Sequence, residues 1–212
     1  MVWRGERNVD QESVLKFLLS LQMATNNKII IITAPSGAGK TSITKHLLKT
    51  FPQLTFSISA ATRHARGLEK DGVDYYFISE ENFKQKIQHD EFVEWEMVYE
   101  GKYYGTLKSE LERIWNLSKI PVLDIDVQGA VHVKQQYPET SLTLFIEPPS
   151  VDELKNRLKS RGTESEESVA TRVSKASYEL SFKEQFDKII VNDKLHKAFE
   201  KAEQIVQSFI SS

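Results

Sequence analysis

The residues best suited to chemistry are the run Ala34, Pro35, Ser36, Gly37, Ala38, Gly39, Lys40 and Thr41. Gly37 and Gly39 permit backbone angles and a close approach that side chains would block. In such a loop the backbone N–H groups point at phosphate oxygens, and the positive end of the helix that follows reinforces them. Lys40 has the reach for β- and γ-phosphates, and the Thr41 hydroxyl is placed as a ligand for Mg²⁺. Ala34 stands where the strict pattern opens with glycine. GTPases, ATPases and kinases share this loop, so it specifies a nucleoside triphosphate and leaves the reaction open.

Other residues narrow the chemistry. Arg63 and Arg66 lie three apart in Thr62-Arg-His-Ala-Arg66. Guanidinium groups are planar, bidentate donors for phosphate. Tyr75 and Tyr103 fall in the same stretch, and a phenol can donate to the same anion. Glu94 interrupts the apolar run Phe92-Val-Glu-Trp95, and a buried carboxylate needs partners. Guanine offers paired N1–H and N2–H₂ donors that a single carboxylate accepts together; adenine, cytosine and thymine do not. Asp124 and Asp126 end an apolar run, where ligand-binding residues collect in parallel sheets. Spacing of two lets both face one site. Asp124 is placed as the metal-side acid and Asp126 on the acceptor side, with loop capping the alternative for either. The five histidines show no metal-ligand spacing.

The elements that must position these groups follow from periodicity. The continuous apolar run within 28–33 suits a strand buried on both faces. A glycine-rich turn follows, then a helix to about Phe51 and a second strand over 54–58. The region 59–105 is polar and aromatic, with short alternating pieces near 75–78 and 92–97 and a helix over 80–89 capped by Ser79. Helical character returns at 107–117, strands at 120–126 and 141–146. Ser150-Val-Asp-Glu153 and Thr163-Glu-Ser-Glu166 read as capping boxes opening two helices. A last strand lies at 188–191 and a closing helix at 194–210. Strands alternating with helices imply right-handed βαβ units and a mainly parallel sheet.

The whole chain sets bounds. Its 212 residues suit one α/β core with small insertions. A net charge of −2 implies no broad nucleic-acid surface. The absence of cysteine removes disulfides, thiolate ligands and a thiol nucleophile, and is compatible with a reducing cytoplasm. No apolar run approaches the roughly 20 residues of a membrane span. Residues 1–27 form an extension in which Val14, Leu15, Phe17, Leu18 and Leu21 recur at helical spacing. It reads either as a helix packed on the core or as sequence ahead of a natural start at Met23.

Seven motifs occur in order: the phosphate loop, Ser59-(x)3-Arg63-(x)2-Arg66, Gly72-Val-Asp-Tyr75, Phe92-Val-Glu-Trp95, Tyr103-Tyr104-Gly105, Leu123-Asp-Ile-Asp-Val-Gln-Gly129 and Arg161-Gly-Thr-Glu164. Together, over about 28–210, they resemble the guanylate kinases. The resemblance implies a P-loop NTPase-type α/β fold: a mainly parallel sheet flanked by helices, an inserted GMP-binding flap and a helical lid. It implies a core of 28–58, 107–150 and 176–212, a GMP-binding region of 59–106 and a lid of about 151–175. The implied substrates are ATP, with Mg²⁺, and GMP.

By that resemblance Arg63, Arg66, Tyr75 and Tyr103 hold the GMP phosphate, while Ser59, Glu94 and Thr106 face the base. Arg157, Arg161 and Arg172 are lid arginines gripping ATP and the transferring group, and Asn192 lies near the adenine. Ala61 and Ala65 depart from the family's usual Thr and Pro. The rival readings are a kinase for another small acceptor on the same scaffold, and a guanylate-kinase-like module that binds phosphopeptides.

Overall fold

The structure, a computed structural model, describes residues 27–160 and 166–212. The helical spacing around 14–21, Arg161 and the capping box beginning at Thr163 lie outside the described residues. Among those described, the elements run β1 (Ile29–Thr33), α1 (Lys40–Thr50), β2 (Leu54–Phe56), β3 (Ala60–Ala61), β4 (Tyr76–Phe77), α2 (Glu80–Gln88), β5 (Phe92–Tyr99) and β6 (Lys102–Leu107). The chain continues through α3 (Lys108–Asn116), β7 (Ile120–Asp124), α4 (Val127–Gln136), β8 (Ser141–Glu147), α5 (Val151–Ser160), α6 (Glu166–Leu180), a 3₁₀ turn, β9 (Lys188–Val191) and α7 (Leu195–Ser211).

Five strands form a parallel sheet in the order β2-β7-β1-β8-β9. The central β1 is buried along its whole length because helices cover both faces. Ile30 and Ile32 pack with Ile43 and Leu47 of α1, Leu154 and Leu158 of α5, and Ala198 and Ala202 of α7. Ile29 and Ile31 pack on the other side with Leu111 of α3 and Val127, Ala130 and Val133 of α4. Each isoleucine therefore removes a whole side chain from water, about 1.5–3 kcal/mol apiece. Leu154, Leu158 and Val169, from the stretch expected to form the lid, belong to the first of these clusters.

The 59–106 region carries a separate four-stranded mixed sheet, β4-β3-β6-β5. It has its own small core of Ala60, Phe83 and Phe92, with Tyr103 and Leu107 packed against it. Val93 of β5 packs into the main core with Ile29 and Ile31, and polar ties add to that contact. Glu110 of α3, almost fully buried, accepts from Ile58 N, Tyr76 Oη and the Arg113 guanidinium, all within 2.8–2.9 Å. Gln136 of α4 donates to the Val93 carbonyl at 2.6 Å.

Helix ends follow local chemistry. Ser79 caps α2 by accepting from Asn82 N, as its sequence predicts. At α5 only half of the capping box forms. Ser150 Oγ accepts from Glu153 N at 3.0 Å, while the Glu153 carboxylate turns to Arg157 Nε, also at 3.0 Å. The expected strand over 120–126 stops at Asp124, because Asp126 caps α4 by accepting from Gly129 N at 2.8 Å. Helix α4 was not anticipated. Its Gly129 and β-branched Val127, Val131 and Val133 lower helix propensity, and burial overrides that.

Candidate active site

The two sheets face each other across a cleft of about 490 Å³. Its core wall comes from the ends of β1 and β7. Its flap wall comes from β5, β6 and the loop carrying the two arginines. Ser36, Lys40, Ser59, Arg63, Arg66, Tyr75, Glu94, Asp124, Asp126 and Arg172 all line it. These ten expected residues, up to 136 positions apart in sequence, are brought to one space.

The phosphate loop runs from the end of β1 into α1. Gly37 and Gly39 have φ of 95° and 99°, angles that favour glycine. Both glycines are also packed from behind. A Cβ on Gly37 would stand 3.0 Å from Leu158 Cδ2, and one on Gly39 would stand 2.2 Å from the Asn192 amide nitrogen. Lys40, at the start of α1, pairs with Asp124 Oδ1 at 2.6 Å and donates to Ile125 O at 2.8 Å. Arg172 reaches the loop at Ser36 Oγ, 2.9 Å away. The loop residues from Ala34 to Ser42, except Ala38, line a further hollow with Asp126, Lys175 and Glu179.

Thr41 and Asp124 share another cavity of about 450 Å³ with Ser59, Glu69 and Tyr75. Their hydroxyl and carboxylate oxygens are the hard donors that Mg²⁺ favours. Among the described residues no cluster of three or more His, Cys, Asp or Glu could cage a metal. An ion here would thus take its other ligands from phosphate and water, which is the habit of Mg²⁺ rather than of zinc. The pair fits that ion.

Glu94 is only 6% exposed. A register shift between Phe92 and Glu94 inserts Val93 as a bulge, and bulges re-aim side chains beside sites. Phe92, Val93 and Glu94 are consequently all buried where strict alternation would leave one in water. Thr106, across the ladder, donates its hydroxyl to Glu94 Oε1 at 2.6 Å. The carboxylate abuts the first turn of α4, where a Cβ on Gly129 would lie 2.7 Å from Glu94 Oε2. Burial, aided by the nearby charge of Asp126 and opposed by the Thr106 hydroxyl, pushes Glu94 up to about 7.

The arginine loop shows one correction. Arg63 donates through Nε to Tyr104 Oη at 3.1 Å and lies over the Tyr75 ring, 4.8 Å from its centroid. Tyr103, the expected phosphate ligand, does not line the cleft. Its ring packs on Phe83 in the flap core. Side chains alternate along a strand, so Tyr104 and Thr106 share the cleft side of β6 and Tyr103 faces away. That parity was legible in Tyr-Tyr-Gly-Thr once Thr106 was assigned to the site.

Three other expected residues stand outside the cleft lining. Thr106 lies behind Glu94, wholly buried. Arg157 pairs with Glu153 and donates to Asn192 O at 3.1 Å. Asn192 is buried and spends its amide on Ala38 O at 2.8 Å, bracing the phosphate loop from beneath. Glu69, Tyr104, Glu96 and Gly129 stand at the site beyond the sequence expectation: Glu69 through the 66–69 turn, Glu96 through pairing opposite Tyr104, Gly129 in the first turn of α4, and Tyr104 through the strand parity of β6.

The family model described as guanylate kinase matches residues 26–209. The chain belongs to the guanylate kinase family. A guanylate kinase of Bacteroides thetaiotaomicron is 43% identical over 199 residues, covering 94% of this chain and 97% of that protein. One from Porphyromonas gingivalis is 46% identical over 185 residues, 87% of this chain and 98% of its own length. The crystal structure of guanylate kinase from Anaplasma phagocytophilum superposes with a TM-score of 0.67 at 30% identity, covering 87% of this chain and 85% of that one. The guanylate kinase match takes in both sheets and every cleft residue named above. Among the described residues no helix is long and apolar enough to cross a membrane.

Proposed function

We propose that this chain transfers the γ-phosphoryl group of ATP to GMP, giving ADP and GDP in purine nucleotide metabolism. One observation carries the reading. A single cleft is lined by a buried carboxylate, an arginine pair and the phosphate-loop lysine, so base reading, phosphate gripping and triphosphate binding share one space.

ATP lies along the phosphate loop, its β- and γ-phosphates met by loop N–H groups and Lys40. Arg172 grips the transferring group from the lid, with Arg157 and Arg161 joining it on closure. Thr41 and Asp124 hold Mg²⁺, which supplies charge neutralisation on the triphosphate when bound. GMP enters beneath the flap. Glu94, held by Thr106, accepts guanine N1–H and N2–H, and Ser59 reads the same base. Arg63, Arg66, Tyr75 and Tyr104 receive the monophosphate, with Asp126 on the acceptor side.

An oxygen of the GMP phosphate attacks the γ-phosphorus; the new O–P bond forms as the bond to the β,γ-bridging oxygen breaks. The attacking oxygen is already anionic, so no strong general base is required. Catalysis is positioning plus charge stabilisation. The flap (59–106) and the lid (about 151–175) close over both substrates and exclude water, a competing acceptor.

The test is a coupled assay of ADP release with ATP, Mg²⁺ and each nucleoside monophosphate in turn. GMP should be turned over at least about 100-fold more efficiently than AMP, CMP or UMP, as expected where a buried polar group rejects a mismatched edge. Preference for another acceptor would overturn the reading of Glu94. Binding of GMP without turnover would favour a phosphate-binding module.

A further inference from the structure

Arg63 is held with unusual completeness. Glu69 takes its guanidinium at both ends, Nη1 to Oε2 at 2.5 Å and Nη2 to Oε1 at 2.7 Å. Nη1 also donates to His64 O at 3.0 Å, and Nε donates to Tyr104 Oη at 3.1 Å. Four of the five guanidinium N–H groups are thus spent inside the flap, leaving one on Nη2. The side chain is 8% exposed. Arg66 is the opposite: its guanidinium makes no hydrogen bond among the described residues and lines the cleft.

Glu69 touches Arg66 as well, through the backbone. Its Oε2 accepts from Arg66 N at 2.8 Å, and its own N–H donates to Arg66 O at 3.1 Å. That reciprocal pair closes the turn 66–69, in which Gly67 takes the positive φ of 57°. One carboxylate therefore joins the fork of Arg63 to the main chain of Arg66. No proline stands between the two arginines to stiffen the loop; the residues there are His64 and Ala65.

We propose that Glu69 is a positioning residue for the acceptor phosphate, locking Arg63 against Tyr75 and Tyr104 and fixing Arg66 beside it. The inference rests on the reading of GMP as acceptor. A carboxylate in this place has a second conceivable role, as an anion occupying the seat the phosphate needs. The geometry favours positioning, because Glu69 is part of the turn itself and moving it would open the reciprocal bonds at Arg66. The hydrogen bonds from Arg63 and then Arg66 N hold the Glu69 carboxyl down to about 2, so the lock is charged at every working pH.

The experiment compares Glu69→Gln and Glu69→Ala with the unsubstituted full chain. It measures KM for GMP, KM for ATP, and Ki for guanosine, which carries the base without the phosphate. Removing a charge-assisted fork should raise KM for GMP about tenfold or more, with KM for ATP and Ki for guanosine each within about twofold. An unchanged KM for GMP overturns the proposal, and a lower one does so in favour of competition with the phosphate. A parallel rise in Ki for guanosine also overturns it, since the whole flap would then have been damaged. Should the alanine variant fail to fold, the glutamine variant decides by the same measurements. If the unsubstituted chain does not phosphorylate GMP at all, the acceptor reading fails, which is distinct from an active chain insensitive to Glu69.

Discussion

Glu94 illustrates how a single residue links fold to specificity. Its carboxyl is raised from 4.5 to about 7 in the folded chain, chiefly because burial disfavours the charge. A folded-state pKa above the unfolded value contributes stability that is present below 4.5 and lost as pH rises through 7. Guanine binding runs the other way, because only the ionised carboxylate accepts both donors. Affinity should therefore be full above about pH 7 and fall about tenfold per unit below it. Guanosine as a competitive inhibitor measures this cleanly, since the GMP phosphate itself titrates near pH 6. A Ki for guanosine constant between pH 8 and 5.5 would refute the assignment. At this scale the arginines and Glu94 were readable from residue type. Tyr104 was missed for Tyr103 because two adjacent tyrosines look alike until strand parity decides which one faces the cleft.

At the scale of elements, the base-reading end of the cleft is built where β5 of the flap meets the first turn of α4 in the core. Gly129 permits that meeting. Alanine there would improve intrinsic helix propensity by about 1 kcal/mol. Its methyl group would nonetheless stand 2.7 Å from Glu94 Oε2 and 3.2 Å from Asp126 Oδ1. Gly129→Ala should thus raise KM for GMP about tenfold, the scale of an overpacked contact, with KM for ATP unchanged because the phosphate loop lies on another element. Equal KM for GMP in both forms would mean that Glu94 and the helix end are not built together. Neither the bulge at Val93 nor α4 was legible beforehand. A bulge leaves no compositional mark, and α4 carries residues whose local preferences are outweighed by packing on Ile29 and Ile31.

At the scale of the molecule, two sheets share one ligand space: the flap sheet has a small core of its own, and its Val93 reaches into the core on one face of the main sheet. They are joined by few polar ties, among them Glu110 with Ile58 N and Tyr76, and Gln136 with Val93 O. A ligand that touches both sheets should therefore stabilise the whole. GMP at about 100 times its Kd should add about 2.7 kcal/mol, which raises Tm by roughly 5–10 °C in a chain of this size. Thermal unfolding with and without GMP measures it, and no shift at saturating GMP would show that the nucleotide does not bind the folded chain.

The five strands of the main sheet, the phosphate loop and most of the charged groups at the cleft were determined by the sequence alone. They rest on local signals: isoleucine runs, glycine spacing, caps and residue chemistry. Only the tertiary structure decided that Glu69 holds Arg63, that Asn192 braces the phosphate loop, and that Gly129 makes room for Glu94. Each of these depends on two segments meeting face to face. Contact across space leaves no periodic trace in either segment, so it had to be seen in the fold.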